Sequence, residues 1–139
     1  MKRVLLILLL CALGCSKGPP KGPNLATTYP VSGQIRFGNG TKLIGGIIYF
    51  TPLEVKSGWQ VRYEGAGLID NQGRFKIGFG GNTAGVATGE YKVTIQPREY
   101  QELRSSNSGQ IPKPYREKDT TPLTVTVEEK ENTFDFVLR

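Results

Sequence analysis

Histidine is absent from this chain of 139 residues, and its two cysteines, Cys11 and Cys15, both stand near the start. Beyond residue 15 there is no thiol, no disulfide and no imidazole. That excludes every Cys/His metal pattern and the commonest general base. An enzyme built from this stretch would have to work with Lys, Tyr, Asp or Glu, and no pair of these stands at a suggestive spacing. The sequence points to no catalytic residue, no metal and no cofactor. Long apolar runs are missing too. Val4 to Leu13 is a run of ten residues, where a membrane-spanning helix needs about 20. No long amphipathic helical period follows it. Basic residues exceed acidic ones, 18 to 12, for a net charge of +6. They are scattered, as at Arg36, Lys56, Arg74, Lys92 and Arg116, and form no stripe that would follow a nucleic-acid backbone.

What the first residues do contain is an export pattern. Met1-Lys2-Arg3 is positively charged, the apolar run follows, and small residues close it, as in a secretory signal peptide. The closing Ala12-Leu13-Gly14-Cys15 resembles the bacterial lipobox. That resemblance implies cleavage before Cys15, with acyl chains, palmitate among them, on its sulfur and its amine. One chain holds a protein weakly, at about 0.8 kcal/mol per buried methylene, but several hold it almost permanently. The expected partner of this end is therefore a membrane. Lys17-Gly-Pro-Pro-Lys-Gly-Pro23 has no apolar periodicity and reads as a semi-extended spacer. The chain thus divides into a leader over 1–14, a lipidated Cys15 with its tether over 15–28, and a folded domain over 29–139. Loss of Lys2 and Arg3 with the leader lowers the net charge from +6 to +4. The expected location is outside the cytoplasm, on a membrane facing periplasm or cell surface.

Alternation organises the folded domain. Val31, Ile35 and Phe37 share one face of a strand and Ser32, Gln34 and Arg36 the other. Phe75, Ile77 and Phe79 alternate with Arg74 and Lys76. The same period recurs through Tyr91, Val93 and Ile95, through Leu123, Val125 and Val127, and through Phe134, Phe136 and Leu138. A period of two predicts strands with one wet face. Ile47-Ile-Tyr-Phe50 is apolar on both faces, as a central strand would be. A strand over Trp59–Ile69 is interrupted by Gly65 and Gly67, which mark a bulge or a close backbone approach. Gly38-Asn-Gly40 and Asp70-Asn-Gln-Gly73 read as turns. The second has a calcium loop as its competitor, although it offers too few oxygens by itself. Seven short strands of this kind predict an all-β fold: a seven-stranded antiparallel Greek-key β-sandwich.

Several stretches resemble carboxypeptidase regulatory-like, or transthyretin-like, domains. They are Val31-Ser-Gly-Gln-Ile-Arg-Phe37 with Gly40 to Phe50, then Gly67-Leu-Ile-Asp-Asn-Gln-Gly-Arg-Phe75, then Thr88-Gly-Glu-Tyr-Lys-Val93, where Thr88 replaces a proline. Ile111-Pro-Lys-Pro-Tyr-Arg116, Asp119 to Val125 and Glu131 to Phe136 are similar to small planctomycete-type lipoproteins of that group. The resemblance covers about residues 30–139. It implies a prealbumin-like, Ig-like sandwich and brings no reaction. The urate-pathway hydrolase of related fold uses histidines and a Tyr-Arg-Gly-Ser ending; this chain has neither.

Two places stand out as candidate contact surfaces. Pro97 to Pro122 is a long polar connection, with Arg98–Arg104 a candidate for helical turns. In it Ile111-Pro-Lys-Pro-Tyr115 is expected to be extended, and Tyr115 either anchors the connection or meets a ligand. Trp59 and Tyr63 would share a strand face and could stack on a sugar ring, or Trp59 could simply cap the core. The leading expectation is a non-catalytic, membrane-tethered β-sandwich that binds an envelope protein or polysaccharide. The alternative is a carbohydrate-binding module using Trp59 and Tyr63.

Overall fold

A computed structural model of the chain describes residues 27–54, 64–79, 83–98 and 105–139. Among them the regular structure is strand, joined by short 3-10 turns: β1 (Thr28–Tyr29), β2 (Val31–Phe37), β3 (Ile47–Pro52), β4 (Gly65–Leu68), β5 (Arg74–Lys76), β6 (Gly78–Phe79), β7 (Thr83–Ala84), β8 (Val86–Ala87), β9 (Gly89–Gln96), β10 (Thr124–Val127) and β11 (Asn132–Leu138). Thr28, expected at the end of the tether, already lies in β1. The alternating segments become the longer strands because each presents one apolar face for burial and one polar face to water.

Two sheets carry the fold. One has the order β10-β9-β3-β4 and the other β11-β2-β5; β1-β8 and β6-β7 form two small ribbons. The all-β sandwich expected from alternation is what the chain adopts. Its pairing departs from a wholly antiparallel one. β11 runs parallel to β2, from Asn132 opposite Val31 to Leu138 opposite Phe37. Alternation reports which face of a strand is buried but says nothing of the direction of its neighbour, so this pairing left no trace in the sequence.

The inner faces meet in one aromatic-rich interior. Phe50 from β3 lies 6.3 Å from Phe75, 6.1 Å from Tyr91 and 6.1 Å from Phe134, ring centre to ring centre. Phe75 stacks on Phe136 at 6.0 Å. Ile35, Ile48, Val93 and Ile95 fill the space around them and are fully buried. Each such side chain contributes about 1.5–3 kcal/mol by leaving water. Val125 is only half-buried, at the rim of this core.

The two sheets touch at one corner. A single bridge joins Ile69, just after β4, to Phe75 in β5. Gly67 makes this approach possible: a Cβ there would sit 2.3 Å from the Lys76 carbonyl oxygen. The hairpin between them turns at Asp70–Gly73, with Gly73 at φ +74°. At one end of the sandwich, the connection from β9 to β10 plugs the core with Ile111, 1% exposed, and Tyr115. It is pinned by Asn107, whose amide accepts from Ile44 N–H at 2.7 Å and donates to the Lys42 carbonyl at 3.0 Å. Thr121 ties the far end, donating to the Val93 carbonyl at 2.7 Å.

The expected extended run over 111–115 is corrected here. Ile111 and Pro112 are extended, but Lys113–Arg116 is a 3-10 turn. Pro114 sets the φ such a turn needs. The Tyr115 N–H closes it on the Pro112 carbonyl at 3.1 Å. The Arg116 guanidinium then folds back to the Ile111 carbonyl, its Nε at 2.9 Å.

Candidate functional site

The outer face of the β11-β2-β5 sheet forms an open groove of about 770 Å³, within the range of small-ligand sites. Register decides what lines it. Ser32 in β2 lies between Thr133 in β11 and Lys76 in β5; two residues on, Gln34 lies between Asp135 and Arg74. All six point outward because their neighbours in sequence point into the core. Beneath them Phe75 is the floor, itself 2% exposed. Leu68, 57% exposed, forms a wall at the β4 corner.

Part of the groove is closed by its own contacts. Arg74 donates from Nε to Asp70 Oδ2 at 3.1 Å. The other oxygen of Asp70 accepts the N–H groups of Gln72 and Arg74 at 2.7 and 2.9 Å. Slight burial works against the charged form, but these two N–H groups and the Arg74 guanidinium outweigh it, and the Asp70 carboxyl sits below its ordinary value. A carboxylate so engaged acts as a turn device for the β4–β5 hairpin. Gln34 donates its side-chain amide to the Gln72 carbonyl at 2.8 Å. Lys42 binds the Gln72 side chain at 3.0 Å.

The remainder is open. Asp135 accepts the Gln34 backbone N–H through Oδ1 at 3.2 Å, which fixes the carboxylate over the sheet and leaves Oδ2 to water. Lys76, Ser32 and Thr133 have no side-chain hydrogen bond or ion pair among the described residues. The groove therefore offers an ammonium, two hydroxyls, an amide oxygen and a carboxylate on a rigid sheet. These groups can hold a polar ligand by charge and hydrogen bonds. Among the described residues no hydrogen bond joins the Ser32 or Thr133 side chain to Lys76 or to a carboxylate, and no group of three or more potential metal ligands occurs.

Of the residues singled out by sequence, Tyr115 is buried, with its hydroxyl accepting the Arg139 N–H at 3.0 Å. Its contacts are those of an anchor for the β9–β10 connection. Trp59, Tyr63 and Cys15 lie outside the described residues, as does most of the Arg98–Arg104 stretch. The groove residues were visible in the sequence only as wet-face positions. Nothing there said that β2, β5 and β11, drawn from both ends of the domain, would lie side by side.

Among the described residues, fold and site define a β-sandwich domain whose β11-β2-β5 sheet keeps an open polar outer face. No family model matches the chain, and no curated protein matches it. Among solved structures it is similar to the major pilin subunit of Bacillus cereus, BcpA, with 19% identity and a TM-score of 0.46. The match covers 81% of this chain and 30% of that one. At this level of likeness, nothing about what the pilin does passes to this protein.

Proposed function

We propose that the protein is a non-catalytic, lipid-anchored module of the cell envelope whose contact surface is the outer face of the β11-β2-β5 sheet. The observation that carries the binding half of this reading is the groove itself: Lys76, Ser32, Thr133 and one Asp135 oxygen stand open on a rigid sheet. Buried side-chain polar atoms among the described residues, by contrast, all have a hydrogen-bond partner. The anchoring half rests on the lipobox-like Ala12-Leu-Gly-Cys15 and the Pro/Gly spacer behind it. Among the described residues no helix is long and apolar enough to cross a membrane. A transthyretin-like, carboxypeptidase regulatory-like domain on a lipid tether fits both halves, with its partner an envelope protein or polysaccharide.

The test is fractionation and capture from the native envelope. The wild-type protein is expected in the membrane fraction, and Cys15→Ser in the soluble exported fraction. Cross-linking from Thr133 should capture an envelope component, and cross-linking from Glu117, on the β9–β10 connection, should not. A Cys15→Ser protein that still sediments with membranes would overturn the anchoring. Equal capture from both positions would overturn the assignment of the contact face.

A further inference from the structure

We infer that the groove takes a short extended peptide carrying a free amine at one end and a free carboxylate at the other. This rests on the reading of the β11-β2-β5 face as the contact surface. Some of the groove's polar groups are already engaged. Arg74 is held by Asp70, and the Gln34 amide nitrogen by the Gln72 carbonyl. The charges left are Lys76 on β5 and Asp135 on β11, on opposite sides of β2. They stand two strand spacings apart across the sheet and two residues apart along it, a diagonal of about 12 Å. Between them lie the Ser32 and Thr133 hydroxyls and the Gln34 side-chain oxygen, which can meet the amides of a peptide.

Charge balance selects the ligand. The groove's cations, Arg74 and Lys76, are matched in number by Asp70 and Asp135, so a polyanion gains nothing from the site as a whole. A neutral sugar has no ring to stack on, since Phe75 lies beneath the sheet surface at 2% exposure. A molecule with one charge of each sign, about 12 Å apart, satisfies both ends. An extended peptide of four residues spans about that length at ~3.3 Å per residue. Its carboxylate would sit on Lys76, its amine on Asp135 Oδ2, and a small side chain against exposed Leu68. Free short peptides carry both groups; the stem peptide of a wall polymer, whose N-terminus is amide-linked to the sugar, does not, and free peptide is therefore the occupant.

Tetraalanine with both termini free is the probe, titrated into the full-length protein in detergent and followed by amide chemical shifts. The expected shifts fall on Ser32, Gln34, Lys76 and Thr133. Lys76→Gln and Asp135→Asn each weaken binding about two- to fivefold, the scale of exposed charge pairs. Asn at 135 keeps an oxygen for the Gln34 N–H, so the sheet is preserved. Amidating the peptide's C-terminus should abolish the effect of Lys76→Gln, and acetylating its N-terminus the effect of Asp135→Asn. Equal binding by the doubly capped peptide, shifts elsewhere, or no shift at millimolar peptide would overturn the inference. An anchored protein that ignores tetraalanine overturns this inference and leaves the envelope reading standing. One that binds it but never reaches a membrane does the reverse. A peptidoglycan fragment, blocked at its peptide N-terminus, should bind no better than N-acetylated tetraalanine; one that binds more tightly than tetraalanine itself would overturn the assignment to free peptide.

Discussion

Alkali should destabilise this protein through one buried hydroxyl. Tyr91 is 1% exposed among Phe50 and the inner faces of both sheets, and it donates to the Ala87 carbonyl at 2.8 Å. Burial pushes its pKa up from 10.0 to about 12. A folded-state pKa above the unfolded one means that the unfolded chain releases its proton first as pH rises. The stability tied to this group is therefore complete below pH 10 and lost on the way to pH 12. At about 1.4 kcal/mol per unit, two units amount to about 3 kcal/mol. Tyr91→Phe removes the ionisable hydroxyl and the hydrogen bond together. At pH 7 the variant should be less stable by about 1–2 kcal/mol, a fall in Tm of about 4–9 °C for a domain of this size. By pH 12 the wild-type should have lost its advantage and become the less stable of the two by about 1 kcal/mol. Urea melts at pH 7 to 12, followed by far-UV circular dichroism, measure the difference; every other titrating group is common to both proteins and cancels. Two stability curves falling in parallel from pH 10 to 12 would refute the reasoning.

The remaining predictions concern the corner, the turn and the leader. Gly67→Ala places a Cβ 2.3 Å from a backbone oxygen that cannot rotate away, so β4 and β5 must separate, at a cost of about 1–3 kcal/mol in urea unfolding. Asp70→Asn should cost at most about 1 kcal/mol at pH 7, because the pair with Arg74 is exposed. Since the Asp70 pKa is lowered on folding, its contribution is present above the unfolded value near 4 and lost as pH falls through the folded one. The gap between the two proteins should therefore close in urea melts taken below pH 4. Cys15→Ser should move the protein from the membrane to the soluble exported fraction, as fractionation reads directly.

Much of the fold was legible because alternation is a local signal. The run read over Val31 to Phe37 is β2 residue for residue, and the readings through Ile47, Tyr91, Val125 and Phe134 fall on β3, β9, β10 and β11, with Leu123 just before β10. The glycines at 65 and 67 announced a close approach, and that approach is real. The single strand read through Phe75, Ile77 and Phe79 is instead broken at Ile77 into β5 and β6. Ile77 leaves the three-stranded ladder although its N–H still reaches the Val31 carbonyl at 2.9 Å. Strands β1, β7 and β8 were missed because two residues are too few to show a period.

The groove was the least legible part, for a reason of topology. Thr133 and Ser32 are a hundred residues apart in the chain and become neighbours only through the parallel pairing of β2 with β11. A wet-face residue looks the same in sequence whether its neighbours leave it isolated or complete a site. Tyr115 was read both as an anchor of its connection and as a contact residue; its ring is buried, and its hydroxyl accepts the Arg139 N–H, as an anchor's would.

Lipid anchoring is tested most sharply by the intact mass of the protein recovered from its own membranes. The chain should begin at Cys15 and be heavier than its sequence by a diacylglyceryl group and an amide-linked acyl chain, with the excess confined to the N-terminal peptide. A chain that begins elsewhere, or a Cys15 that carries no lipid, would contradict the anchoring.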